Sequence, residues 1–470
     1  MQSNGTRSVQ GGPIVLGFVS GTLTVQGIDS NHDLVEQFAG QLKWDARSHC
    51  FRCAGHHYAE IVKWLVRASQ PFEDQAGKYE RPKLEYDSGG RTARAYQQEA
   101  LEAWLKQGGR GVVVLPTGAG KSLVAMLAIA NRQRSAIVVV PTLDLVRQWY
   151  DQLKAAFGVD VGLLGGGEYD IRPLTVATYD SAHLHVDRWG DRFGLVVFDE
   201  VHHLPSPSNQ LAARLSIAPY RLGLTATPER TDGAKASIEE LVGPIVYRRD
   251  IVEMTGEFLA DYETLRLNVQ LTPEERANYE AARETYLGFT RRHGIKFNGP
   301  KGWSEFIKRA ASSREGRRAL DAYRTQKSIA IAASGKLRTL EELLNKHARD
   351  RCLIFTLDNR TVYEISRRYL IPAITHQTKV KERSEILKNF RDGTYGAVVT
   401  SRVLNEGVDV PDANVAIIVS GTGSVREHVQ RLGRILRPRD GKRAALYELV
   451  TGQTAETSTS ERRRDHLAYR

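Results

Sequence analysis

Cysteine is scarce in this sequence: Cys50, Cys53 and Cys352 are the only three in 470 residues. So odd and sparse a set cannot build a disulfide framework, and it suits a reducing interior. Long apolar runs are lacking as well. Nothing approaches the ~20 residues of a membrane-spanning helix. PIVLGFVSGTLTV near the N-terminus is broken by Gly, Ser and Thr and has no basic cluster before it, so it does not read as a targeting signal. Acidic residues also fall short: 55 Asp and Glu against 66 Lys and Arg leave a formal charge of +11 and a pI of about 9.4. That balance concerns partners rather than fold, and it favours an acidic polymer such as nucleic acid. A soluble, cytoplasmic protein with no membrane partner is expected.

The length exceeds one ordinary core and predicts three or four domains of ~100–200 residues. From about residue 110, short apolar runs alternate with amphipathic stretches. GVVVLP (111–116), AIVVVP (136–141), LTVATY (174–179), LVVFDE (195–200) and RLGLTAT (221–227) have the continuous apolar character of strands buried on both faces. The intervals between them are long enough for helices. The pattern stops near 250 and resumes with CLIFT (352–356), AITH (373–376), YGAVVTS (395–401), VAIIVS (415–420) and ALYELV (445–450). The fold class is therefore α/β, with two parallel-sheet domains flanking a different insert. Ligands of such sheets sit outside the carboxyl ends of the strands, so a site between the two sheets is expected.

The insert is polar and helical in character. Residues 291–327 hold eleven Lys and Arg against three acids, with Phe297, Trp303, Phe306 and Tyr323 interleaved. Cations beside stacking groups suit a nucleic-acid clamp; a solvated helical hairpin with an aromatic core fits the same residues. Residues 1–88 form a separate block that mixes strand-like GTLTVQG with a helical stretch, HYAEIVKWLVRA. Within it Cys50, Cys53, His56 and His57 are zinc-ligand types, but they crowd one turn. A closed structural site draws its ligands from two separated elements, which argues against a metal there.

PTGAGKS, residues 116–122, follows a strand and opens a helical stretch. Gly118 and Gly120 let backbone N–H groups approach phosphate oxygens, with Thr117 and Ala119 completing the loop. The helix N-terminus adds a positive dipole and Lys121 a point charge. Ser122 is placed to ligate Mg²⁺. The strict pattern asks for glycine at position 115, where leucine stands, so the loop alone fits a glycine-rich turn as well.

VVFDEVHHL, residues 196–204, decides between these. Taken alone its carboxylates and imidazoles suit a metal site, an acid/base pair, or a buried strand ending in a polar turn. With a phosphate loop upstream, Asp199 reads as the Mg²⁺ holder and Glu200 as the group that orients and deprotonates an attacking water. His202 is a candidate relay and His203 a structural histidine. ATP and Mg²⁺ are the cofactors this chemistry requires.

Lys121 in PTGAGKS, DEVH at 199–202, TAT at 225–227 and QRLGRILR at 430–437 resemble, in order and spacing, the motifs of superfamily 2 helicases and translocases. The sequence is more closely similar to the XPB family, particularly its compact archaeal members. That likeness rests on DEVHHLP, SIAPYRLGLTATPER, LIPAITHQT (370–378), VLNEGVDVPDANV (403–415) and GSVREHVQRLGRILRP (423–438), and WDARSHCFR (44–52) extends it weakly into the first block.

The resemblance implies two RecA-like parallel-sheet domains with a helical thumb insert and a small mixed N-terminal domain. The expected divisions are a damage-recognition-like domain at 1–88, RecA-like helicase domain 1 at 89–254, a thumb-like insert at 255–330, RecA-like helicase domain 2 at 331–455 and a basic C-terminal tail at 456–470. It further implies that Arg94 and Gln97 read adenine, that Asp409 meets the nucleotide from the second domain, and that Arg434 and Arg437 act as arginine fingers. These two are three apart, which places them on one helix face. His202, Gln430, Thr225 and Thr227 are implied to couple hydrolysis to domain movement. Thr142, Arg147, Thr178, Thr400, Arg230 and Asp232 are implied DNA contacts, and the charge of the basic insert makes Arg291 and Arg292 candidates for the same role. In the family an Arg-Glu-Asp element follows TAT; here it reads Arg230-Thr231-Asp232, so weaker strand separation than ATP hydrolysis is expected.

The function expected is an ATP-dependent 3′–5′ DNA helicase or translocase acting in excision-type repair or in DNA opening at transcription. Its DNA would be single-stranded, forked or damaged duplex, a nuclease is a candidate partner protein, and the location is nucleoid-associated. The alternatives are a duplex translocase or branch-remodelling ATPase that never separates strands, an RNA helicase, and a non-catalytic recruiting scaffold. Retention of Lys121, Asp199, Glu200, Arg434 and Arg437 speaks against the last.

Overall fold

The computed structural model describes residues 13–90, 92–227, 234–256, 258, 260–297, 300–401, 413–424, 431, 433 and 443–464. The chain divides into two units, Met1–Asp250 and Ile251–Arg470.

The first unit begins with a five-stranded sheet in the order Lys43–Asp45, Cys50–Ala54, Thr22–Gln26, Ile14–Val19, Phe72–Asp74. Only its last pair is parallel. The helix Tyr58–Arg67 turns Tyr58, Ala59, Ile61 and Leu65 inward, the one-sided spacing of an amphipathic helix, against Leu16, Leu23 and Val25. At the helix's start the chain meets the larger sheet domain closely. A Cβ on Gly55 would lie 2.6 Å from the Leu215 carbonyl oxygen, so a larger residue would force the two apart. Next to it, buried His56 donates its Nδ1–H to the Arg214 carbonyl at 3.1 Å. Burial drives the His56 pKa down to about 3, which keeps the ring neutral in this contact.

The five apolar runs between 110 and 227 become the strands Arg110–Val114, Ala136–Val140, Leu174–Thr178, Leu195–Asp199 and Tyr220–Thr225. They sit inside an eight-stranded sheet ordered Ile245–Arg248, Arg110–Val114, Tyr220–Thr225, Leu195–Asp199, Ala136–Val140, Leu174–Thr178, Val161–Gly165, Glu168–Tyr169. All neighbours are parallel except the last pair. Register fixes the function of this edge. Leu195 lies opposite both Ala136 and Tyr220, and Asp199 opposite Leu224. The residues that follow each central strand therefore emerge along one carboxyl edge.

The second unit carries six parallel strands in the order Asp261–Val269, Arg443–Thr451, Val415–Ile418, Cys352–Phe355, Ala397–Thr400, Ala373–Ile374. The first of these lies within the segment expected as a thumb, and it forms an edge strand of the second sheet. Three helices follow it, Pro273–Arg292, Pro300–Ser312 and Arg314–Ile331. The first opens on a reciprocal Thr272–Glu275 cap with proline at its first position.

Part of the segment expected as a basic tail is a helix, Ala455–Arg463, with Glu456, Ser460 and Arg463 buried. The cause is electrostatic. Lys336 is fully buried, and its ammonium donates to both Glu456 carboxylate oxygens (2.8 and 2.7 Å) and to the Val419 carbonyl (2.7 Å). Burial lowers the Lys336 pKa, and Glu456 opposes that shift. Glu456→Gln should therefore leave a buried cation uncompensated and cost about 3–5 kcal/mol. Calorimetry is expected to record a fall of roughly 10 °C in melting temperature; a variant that melts with the parent would remove this pair as the helix's anchor.

Candidate active site

Each central strand of the first unit delivers one element of the site. After Arg110–Val114 comes the glycine loop, where Gly118 and Gly120 have φ of +88° and +74°. Those left-handed angles are cheap only for glycine, and a Cβ on Gly120 would also meet Gln97 Nε2 at 2.6 Å. The helix Ala95–Lys106 thus supports the loop from behind. The Gln97 amide donates to the Ala119 carbonyl at 3.0 Å, the Tyr96 hydroxyl donates to the same oxygen at 2.8 Å, and Gln97 Oε1 accepts from the Arg94 N–H at 2.9 Å. Gln97 is buried and Arg94 caps its helix.

Lys121 opens the helix Lys121–Arg132, and its ammonium folds back onto the Leu115 and Pro116 carbonyls at 3.2 and 3.4 Å. Ser122 stands half-buried beside it. The Thr117 hydroxyl oxygen is buried with no hydrogen-bond partner among the described residues. A left-handed glycine loop at a helix N-terminus, with that hydroxyl and a lysine within reach, fits the phosphates of a nucleotide.

Leu195–Asp199 delivers the carboxylates. Asp199 is buried, and each of its oxygens accepts one hydrogen bond: Oδ2 from the Trp149 indole at 2.9 Å and Oδ1 from the Glu200 N–H at 3.0 Å. Its main-chain carbonyl accepts from the Tyr179 hydroxyl at 3.1 Å. Burial raises the Asp199 pKa, while the indole and the Lys121 charge pull it back. Both oxygens keep acceptor capacity for a hard cation, so the residues present fit Mg²⁺.

Glu200 follows at φ +47°, a left-handed setting that is strained for a residue with a side chain and typical of functional sites. Its Oε2 lies 3.4 Å from Nδ1 of buried His202, and the same nitrogen is 3.1 Å from Thr225 Oγ1. Thr225 Oγ1 in turn accepts the Thr227 N–H at 3.2 Å. The acidic box and the TAT motif are therefore in direct contact. His203 packs its ring 4.5 Å from that of His202, and its carbonyl accepts from the Asn209 amide at 2.9 Å.

The remaining sequence-derived residues lie as follows. Thr142 caps the helix Leu143–Phe157 through the Leu145 N–H at 3.3 Å, with Arg147 exposed on that helix. Thr178 caps Tyr179–Leu184 through the Ser181 N–H at 3.1 Å. In the second unit Thr400 ends its strand fully buried, its hydroxyl without a hydrogen-bond partner among the described residues. Arg291 is exposed and Arg292 pairs with Glu315. The insert's aromatics divide: Phe289 and Phe306 are core, with Tyr286 and Tyr323 packed against them, while Phe297 and Trp303 stay 42% exposed. Arg230, Thr231, Asp232, Asp409, Gln430, Arg434 and Arg437 lie outside the described residues.

Burial pushes the Cys53 thiol up to about 12, the opposite of what a thiolate ligand needs. Among the described residues no group of three His, Cys, Asp or Glu is placed to hold a metal ion, and no helix is long and apolar enough to cross a membrane. Sequence reasoning missed Tyr96, Trp149 and Tyr179. The available signal was that a buried indole or phenol needs a polar partner.

Residues 91–230 match the family described as type III restriction enzyme, res subunit, and residues 335–439 the helicase conserved C-terminal domain. Residues 16–76 match the Xeroderma pigmentosum group B helicase damage recognition domain. The DNA 3′-5′ translocase XPB2 of Sulfurisphaera tokodaii is 40% identical over 92% of this chain and 98% of its own length. The chain belongs to the XPB family. Among XPB proteins, the DNA 3′-5′ helicase XPB of Kineococcus radiotolerans is 31% identical over 86% of this chain and 68% of its own. The Hef helicase domain of Pyrococcus furiosus superposes with a TM-score of 0.54 at 18% identity, covering 78% of this chain and 97% of that one, which speaks for the shared fold. The two helicase matches carry nucleotide use into this XPB chain.

Proposed function

We propose that this XPB-family chain is a DNA-dependent ATPase that moves 3′ to 5′ along DNA and opens it during repair or at transcription. The observation that carries the proposal is the contact chain Glu200–His202–Thr225, which starts beside a phosphate loop and ends in TAT. The loop N–H groups and Lys121 hold the phosphates, and Asp199 with Ser122 holds Mg²⁺. When bound, the ion neutralises phosphate charge and orients the reacting oxygens. Glu200 accepts the proton of the attacking water, and His202 reports the state of that carboxylate to Thr225. Arg434 and Arg437 stabilise the charge that develops, Asp409 and Arg94 meet the nucleotide, and Gln430 answers His202. Thr142, Arg147, Thr178, Thr400, Arg230, Asp232, Arg291 and Arg292 grip the strand, mainly through its phosphates, so sequence matters little.

The names of the relatives support this direction of travel and this polymer. The same names favour a second reading, a translocase that follows DNA without parting it: the relative at 40% identity is called a translocase, and Thr231 stands where the family carries a carboxylate. A nuclease partner belongs to the proposal on the archaeal likeness alone. Streptavidin displacement tests the motor. With ATP, the chain should clear streptavidin from a 5′-biotinylated single strand far faster than from a 3′-biotinylated one, and equal or reversed rates would overturn the polarity.

A further inference from the structure

Two buried aromatic side chains both end on Asp199. The helix Leu143–Phe157 is capped by Thr142, a residue read as a strand contact, and two turns further on it offers the Trp149 indole to Asp199 Oδ2 at 2.9 Å. The short helix Tyr179–Leu184 is capped by Thr178, also read as a strand contact, and its first residue donates the Tyr179 hydroxyl to the Asp199 carbonyl at 3.1 Å. Both aromatics are buried, at 2% and 3% exposure, so neither contact is shared with solvent.

We propose that Trp149 and Tyr179 are positioning residues which tie the Mg²⁺-holding carboxylate to the two strand-gripping loops, so that DNA engagement sets the geometry of Asp199. The proposal rests on the motor reading and deepens it.

The physical case is one of constraint. The Asp199 carboxylate has one hydrogen bond on each oxygen, and the two together fix the plane in which its free lone pairs point. The Glu200 N–H is local and moves with Asp199. The indole belongs to another element, and a shift of that helix on its strand contact must be passed to Oδ2. Tyr179 holds the backbone of the same residue from a third element. An ångström of misplacement at such a group is worth ~10²-fold in rate.

The test uses the full chain with Tyr179→Phe, which keeps the ring and removes its hydroxyl, and Trp149→Phe, which keeps an aromatic side chain but removes the indole N–H together with part of the buried ring system. Phe157→Leu serves as the control, since it cuts the buried face of the same helix away from Asp199. Three readouts are taken: melting temperature, the Mg²⁺ concentration at half-saturation of fluorescent ADP binding without DNA, and the ratio of DNA-stimulated to unstimulated ATP turnover. Trp149→Phe should raise the Mg²⁺ half-saturation ~10-fold or more, as loss of an outer partner of a metal ligand does. Both tyrosine and tryptophan variants should lower the stimulation ratio, while Phe157→Leu lowers the melting temperature and moves neither of the other two. Should the tryptophan variant keep the parent's half-saturation, or either variant keep its stimulation ratio, the proposal is overturned. A parent whose turnover ignores DNA would instead sink the motor reading.

Discussion

Glu200→Gln should lower ATP turnover ~10²–10⁴-fold and leave nucleotide affinity within a few-fold of the parent. The substitution keeps the size of the side chain and the left-handed backbone at φ +47°, so the loop between Asp199 and His202 has no reason to move. What it removes is the capacity to accept a proton from water. Asp199, Lys121 and the glycine loop all remain, and these are the groups that bind. The expected signature is thus a fall in kcat with little change in Kd, read by steady-state hydrolysis beside equilibrium binding of a fluorescent ATP analogue. A loss shared equally between the two would mean that Glu200 holds the ground state, and that the base lies elsewhere.

Lys121→Ala should cost ~10²–10³-fold in turnover, and it should weaken nucleotide binding as well, since a point charge on the phosphates acts before and during the reaction. The fold should tolerate it. Lys121 is the first residue of a helix, where alanine is favourable, and among the described residues its ammonium donates its hydrogen bonds to the Leu115 and Pro116 carbonyls of its own loop. DNA affinity should persist, because Thr142 and Thr178 lie on other loops. A variant that hydrolyses ATP at the parent rate would show that the glycine loop does not hold the reacting phosphates.

Strands buried on both faces were the most legible part of the fold. AIVVVP and LVVFDE read as continuous apolar runs because Ala136–Val140 and Leu195–Asp199 have neighbours on either side and helices above and below. Asp261–Val269 was not legible as part of the second sheet. It is an edge strand of mixed exposure, DYETLRLNV, and its partner among the described residues, Arg443–Thr451, lies about 180 positions further along the chain. Ala455–Arg463 was equally silent, because AETSTSERR is polar and its burial depends on Lys336, which local sequence does not reveal.

In the site, the glycine loop and the Asp199-Glu200 pair could be read because the chemistry demands those residue types next to each other. Trp149 could not. It falls in the stripe Leu145, Val146, Trp149, Leu153, which reads as core, and its polar partner arrives from a strand fifty residues later.

Steady-state ATP hydrolysis by the full chain, alone and with single-stranded DNA, forked duplex or RNA of the same length, tests the central claim most directly, with Glu200→Gln as background. The account predicts turnover raised by DNA, raised little by RNA, and lowered ~10²-fold or more in the variant under every condition. Turnover indifferent to DNA, or undiminished when Glu200 is replaced, would contradict it.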